Sequence, residues 1–151
     1  MKSTEIALLL NSNKNKITRI GEIISKKIPE RDLFNNLNEY EKTIIYIDIF
    51  ENHTTNGGFE EFFWNSSGKF SHEILEAYEK IGAVNTANII YTSFTLFGEI
   101  PIPKNINLRR ELLTGLKKDI WKDLNNEFYK NKDDIPVLIL KFVSDNISYF
   151  Q

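Results

Sequence analysis

The run Asn56-Gly57-Gly58-Phe59-Glu60-Glu61-Phe62-Phe63-Trp64-Asn65-Ser66-Ser67-Gly68 constrains this chain more than any other stretch. Two adjacent glycines free the backbone for positive φ, and they are followed at once by four large aromatics. Asn-Ser-Ser-Gly, a second turn-forming group, closes the run. Phe59, Phe62 and Phe63 stand at i, i+3 and i+4, so on a helix they share one face, with Glu60 and Glu61 largely off it. The pattern predicts a short helix over 59–64, preceded by a helix-ending turn at Gly57-Gly58 and packed through its rings.

Helical spacing continues on both sides. Ile17, Ile20, Ile23, Ile24 and Ile28 mark a helix that Pro29 stops. Asn38 with Glu41 three residues later reads as a capping box, opening a helix to about Asn52. Its centre, Ile44-Ile45-Tyr46-Ile47-Asp48-Ile49-Phe50, is apolar on nearly all sides and belongs inside a core. Ser71 caps the next helix, and Gly82 stops it. Val84, Ala87, Ile90, Tyr91, Phe94 and Phe97 mark another, ended by Gly98. Ile100-Pro101-Ile102-Pro103 is a stiff connector. Asn107 opens a long helix over 107–130, and Asp133 or Asp134 caps a last one over 134–150, with Pro136 in its first turn. The expectation is an all-α protein: a single compact domain over 1–151, of about seven helices, with 40–50 central and Phe59, Phe62, Phe63 and Trp64 wedged against it.

Composition removes several function classes. A hydrophobic share of 41% and an aromatic share of 13% make the chain globular. Cysteine is absent, which excludes disulfides and thiolate metal sites. His53 and His72 have no ligand spacing, so neither a metal nor another cofactor is expected. Ser66 and Ser67 sit in no nucleophile elbow, and spacing places no catalytic set. No leader and no membrane-length apolar run is found, so a cytoplasmic protein with no membrane partner is expected.

Charge is unevenly placed. Residues 30–79 hold eleven Asp/Glu against three Lys/Arg, whereas the flanking segments are net positive and the whole chain is −2. An acidic zone favours a basic partner and disfavours direct contact with nucleic acid. Arg109, Arg110, Lys117, Lys118 and Lys122 alternate with acids and read as a solvated, salt-bridged face.

The signature run, the acidic-apolar helix before it and the Ile81-Gly82-Ala83 junction resemble a bacterial family of DNA-mimic proteins, over about 37–97. The resemblance implies an all-helical fold and protein–protein binding without a cofactor. Surface carboxylates would imitate phosphates on the DNA-binding face of a regulator, and a homodimer is an expectation from the resemblance alone. Two departures stand out: Glu61 occupies a position where Gln is expected, and the chain is near neutral overall. The reading is therefore a non-enzymatic interaction module. Glu60, Glu61, Glu73, Glu76 and Glu79 would contact a basic protein such as a DNA-binding regulator or nuclease. Asn56, Gly57, Gly58, Phe59, Phe62, Phe63, Asn65 and Gly68 would hold the motif's shape. A small-ligand or enzymatic site around Asn56, Asp48, His53 and Glu61 is the competing reading, and an immunity or antitoxin-like role is a third.

Overall fold

The structure is a computed structural model, which describes residues 2–130 and 132–151 and, for Asn56, the backbone alone. Every regular element among the described residues is helical. In chain order these are α1 (Ser3–Ala7), α2 (Asn13–Ser25), α3 (Glu39–Trp64), α4 (Ser71–Lys80), α5 (Val84–Phe97), α6 (Ile106–Thr114), α7 (Lys122–Tyr129) and α8 (Ile135–Asp145). Short 3-10 turns occupy Ser66–Phe70 and Ile147–Tyr149. Because α3 is kinked, its two arms bring the helices to nine among the described residues, slightly more than the sequence suggested. No helix among these residues is long and apolar enough to cross a membrane.

Two compact units are formed, Met1–Ile45 with Asp134–Gln151, and Tyr46–Asp133. The first gathers α1, α2, the opening turns of α3, and α8. Its buried side chains include Ile20, Ile24, Leu37, Ile44, Ile139 and Val143. The predicted capping box is formed at the start of α3: Asn38 Oδ1 accepts from the Glu41 N–H at 2.9 Å, and Glu41 Oε1 accepts from the Asn38 N–H at 3.1 Å. Glu41 is buried, and its second oxygen meets Lys27 Nζ at 2.5 Å, so the carboxylate is paired as burial demands. Asp134 caps α8 by accepting from the Val137 N–H at 3.3 Å.

In the second unit, Phe50 is the hub. Its ring meets those of Phe59, Phe62, Tyr78 and Phe128 at centroid distances of 5.7, 4.9, 5.7 and 5.5 Å. Phe63 extends the cluster to Phe97 at 5.1 Å and Trp121 at 5.4 Å. Most of these pairs are tilted or edge-on, the arrangement that ring quadrupoles favour. Gly82 and Gly98 end α4 and α5 at positive φ, as their positions in sequence suggested.

Four local expectations are corrected. The helix from Asn38 does not end at Gly57-Gly58. It runs on to Trp64, and Gly58 alone leaves helical geometry. The long 107–130 helix is two, because Gly115 closes α6 and α7 begins only at Lys122; Asn105, two residues before the expected cap, accepts from the Leu108 N–H at 3.0 Å. Ser71 does not cap α4. It is the first helical residue, and its hydroxyl donates to the Gly68 carbonyl at 2.6 Å. Trp64 is not wedged in the core but is 43% exposed.

Candidate functional site

The signature forms the second arm of α3 and the turn after it. At Gly58, φ is 67° and ψ is −159°, a region essentially closed to residues with a Cβ. The kink frees the Phe59 N–H from its helical acceptor. Asn125 of α7 takes it, with Oδ1 at 3.0 Å. A Cβ on Gly58 would lie 2.6 Å from that same Asn125 side chain, so the glycine serves both the backbone angle and the cap. Gly57 stays helical, and its missing Cβ leaves room for the Glu61 side chain one turn later. The Asn56 side chain, assigned by sequence to the motif, lies outside the described residues.

Beyond the kink, Phe59, Phe62 and Phe63 are buried as their spacing predicts. The far end of this arm leaves carbonyls without helical partners. Two arginines of α6 supply them. Arg109 is 0% exposed; its Nε donates to the Phe63 carbonyl at 2.6 Å and its Nη2 to the Asn65 carbonyl at 2.6 Å, while Nη1 reaches those of Pro103 and Lys104 at 3.0 and 3.1 Å. Burial, with Arg110 beside it, lowers its pKa from the ordinary arginine value. A Cβ on Gly68 would sit 2.6 Å from Arg109 Nε, so the last glycine of the motif makes the guanidinium's berth. Arg110 donates from Nε to the Trp64 carbonyl at 2.8 Å and lies over the Trp64 ring at 4.8 Å. Cations at the C-terminal end of a helix also match its dipole. The solvated face expected of Arg109 is thus overturned: it is a buried clamp on the signature.

On the outer side of the arm, Gly57, Glu60, Glu61, Trp64 and Asn65 line an open concavity of about 430 Å³. Glu60 and Glu61 are exposed at its wall and make no ion pair among the described residues. Asn65 is committed to shape: its Nδ2 donates to the Glu61 carbonyl at 2.9 Å. On α4, Glu76 and Glu79 are exposed and likewise unpaired, opposite the buried Ile74, Ala77 and Tyr78. Glu73 differs. It is half-buried, and Lys104 Nζ meets its Oε1 at 2.7 Å.

Of the competing ligand site, His53 and Asp48 have separate partners. His53 Nε2 lies 2.9 Å from Ser67 Oγ, and the Asn52 amide touches Asp48 at 3.5 Å. His72 Nε2 accepts from the Ile102 N–H at 2.8 Å. No group of His, Asp and Glu among the described residues could hold a metal. Asp48 does belong to a cluster that the sequence did not indicate. Glu51 follows it by one turn of α3, and Tyr78 of α4 is near both. The Tyr78 hydroxyl is fully buried and faces the Glu51 carboxylate. Burial, then the Glu51 carboxylate, push its pKa well above the ordinary tyrosine value. Burial raises Glu51 and Asp48 as well; for Glu51 the phenol partly offsets this and Asp48 adds to it.

A signal for Arg109 was present in the sequence, since it precedes Leu113 by four residues and so shares its face. Asn125, in Leu124-Asn125-Asn126, had no such marker. No curated protein and no solved structure matches the chain. A family profile described as DMP19-like protein matches residues 35–146 and therefore takes in the kink, the aromatic arm, both arginines and Asn125. A match over most of the chain that includes every part of this clamp places the protein in the DMP19-like family.

Proposed function

We propose that this protein binds a basic protein through carboxylates displayed around the signature arm and along α4, in its sharper form as a mimic of DNA offered to a DNA-binding regulator. The observation that carries the reading is the contrast between two kinds of acid. Buried Glu41 and half-buried Glu73 are neutralised by Lys27 and Lys104, whereas Glu60, Glu61, Glu76 and Glu79 are exposed without any such cation among the described residues. Surface charges left unpaired steer an oppositely charged partner and tie its affinity to salt. Glu73 contributes less, because Lys104 already occupies it. The arm that carries Glu60 and Glu61 is held by Asn125 at one end and Arg109 at the other, so these carboxylates are displayed on a fixed support. Membership of the DMP19-like family supports the same reading.

The test is capture from the native host at low salt with elution by a salt gradient, followed by competition with duplex DNA. The expected outcome is one basic protein that elutes in rising salt and that DNA displaces. The quadruple change Glu60→Gln, Glu61→Gln, Glu76→Gln, Glu79→Gln should weaken capture at least tenfold and flatten its salt dependence, as loss of several rim charges does. Unchanged capture by that variant overturns the reading.

A further inference from the structure

Gly57, Glu60, Glu61, Trp64 and Asn65 recur at the spacing of one helical face, and together they line the concavity of about 430 Å³ on the outer side of α3. That volume falls within the range of sites that hold small ligands. Gly57 has no Cβ, and the Glu61 carboxylate folds into the space that one would fill. Another part of the wall is the Trp64 indole. It is 43% exposed and yet fixed in place, because Arg110 donates from Nε to the Trp64 carbonyl at 2.8 Å and lays its guanidinium over the ring at 4.8 Å. Arg110 makes no ion pair with Glu60 or Glu61 among the described residues. Two carboxylates against that one guanidinium leave the concavity a cation short of balance.

We propose that this concavity receives one arginine side chain of the basic partner, with Trp64 as its aromatic wall and Glu60 and Glu61 as its acceptors. Arginine suits each part of the wall. Its apolar stem and planar head can lie on the indole, whose quadrupole attracts a cation. Its five donors, set in a rigid fork, can reach two carboxylates together. A lysine ammonium has neither plane nor fork and holds its water more firmly. A neutral or acidic side chain would leave both carboxylates uncompensated as the partner closes over them. An indole already pinned by Arg110 loses little freedom on binding, and tryptophan and arginine are among the residues that carry most of the energy at interfaces. The inference rests on the reading of a basic partner and deepens it: Trp64 has no charge, so it adds affinity that salt does not screen.

The experiment follows the indole N–H resonances of Trp64 and Trp121 by NMR while acetyl-arginine-methylamide is added to the full chain at neutral pH. The Trp64 signal should shift saturably, and that of buried Trp121 should stay. An unmoved Trp121 signal also reports an intact core in each variant. Trp64→Leu, followed on the Glu60 and Glu61 amides, should weaken the probe roughly fivefold, the worth of one cation–π contact, and Trp64→Phe should recover part of the loss. Glu60→Gln with Glu61→Gln should abolish saturation. A Trp64 shift that rises linearly overturns the receptor, as does equal affinity for acetyl-lysine-methylamide. Capture from the host separates this inference from the function proposed above. Trp64→Leu keeps every carboxylate, so capture should weaken about fivefold while its salt slope stays the same. Capture unchanged by Trp64→Leu, with the quadruple Glu→Gln chain deficient, overturns the receptor alone. Saturable probe binding with capture unaffected by the quadruple change overturns the basic-partner reading, and the assignment of the concavity to that partner falls with it.

Discussion

Gly58 shows how one residue type can be required twice. Its φ of 67° with ψ of −159° excludes a Cβ by backbone geometry, and the Asn125 side chain excludes it by space. Gly58→Ala should cost about 1–3 kcal/mol from the backbone alone. For a chain of this size that lowers Tm by roughly 3–10 °C in thermal unfolding. Combining it with Asn125→Ala relieves the overlap but not the angle, so the two costs should add to less than their sum. Glu51 poses the opposite case, a side chain whose charge the fold disfavours. Its folded pKa lies above the unfolded one, so between the two values the native state holds the proton more tightly, and stability falls as pH rises through that window. Glu51→Gln should therefore raise Tm at neutral pH. The gain should fade as pH drops below the unfolded carboxylate range, which a series of thermal melts across pH will show.

At the scale of elements, the second arm of α3 is a helix with both ends held by distant side chains. Asn125 accepts its first freed N–H, and Arg109 donates to the carbonyls past its last turn. Arg109→Met removes two short charge-assisted bonds, leaves the Phe63 carbonyl without its guanidinium donor, and leaves the Asn65 carbonyl with the Gly68 N–H alone. The expected cost is on the order of 3–5 kcal/mol in chemical denaturation. Arg109→Lys should recover little of this, since a point ammonium cannot spread over four carbonyls. These elements also show what local sequence conveys. Gly82, Gly98, the Asn38–Glu41 box and Asp134 were all legible, because each acts within a few residues of itself. Gly57-Gly58 was misread as a helix end. The acceptor that lets α3 continue lies 66 residues away, and nothing local marks it. The break at Gly115 was missed because the apolar period runs through it.

Across the whole molecule, charge and rings divide the labour. Rings from α3, α4, α5 and α7 pack the interior of the second unit, while Glu41 and Glu73 are paired below the surface and Glu60, Glu61, Glu76 and Glu79 stand exposed with no ion pair among the described residues. Composition alone revealed the acidic zone. It could not sort Glu41 and Glu73 from Glu60, Glu61, Glu76 and Glu79, because Lys27 and Lys104 lie 14 and 31 positions from the acids they neutralise. The aromatic face was legible from its period. Trp64 was not, since the Arg110 contact that it makes at the surface leaves no trace in spacing.

The hold of Asn125 on Phe59 has a bearing on synthesis. On the ribosome, the glycine pair and its phenylalanines emerge long before the amide that secures them, and Arg109 arrives only slightly sooner. Nascent chains stalled with residue 121 just outside the exit tunnel should be cut readily by protease within 46–64, and those stalled after the whole of α7 has emerged should resist. The signature is thus a part of the protein that needs shelter while translation is under way.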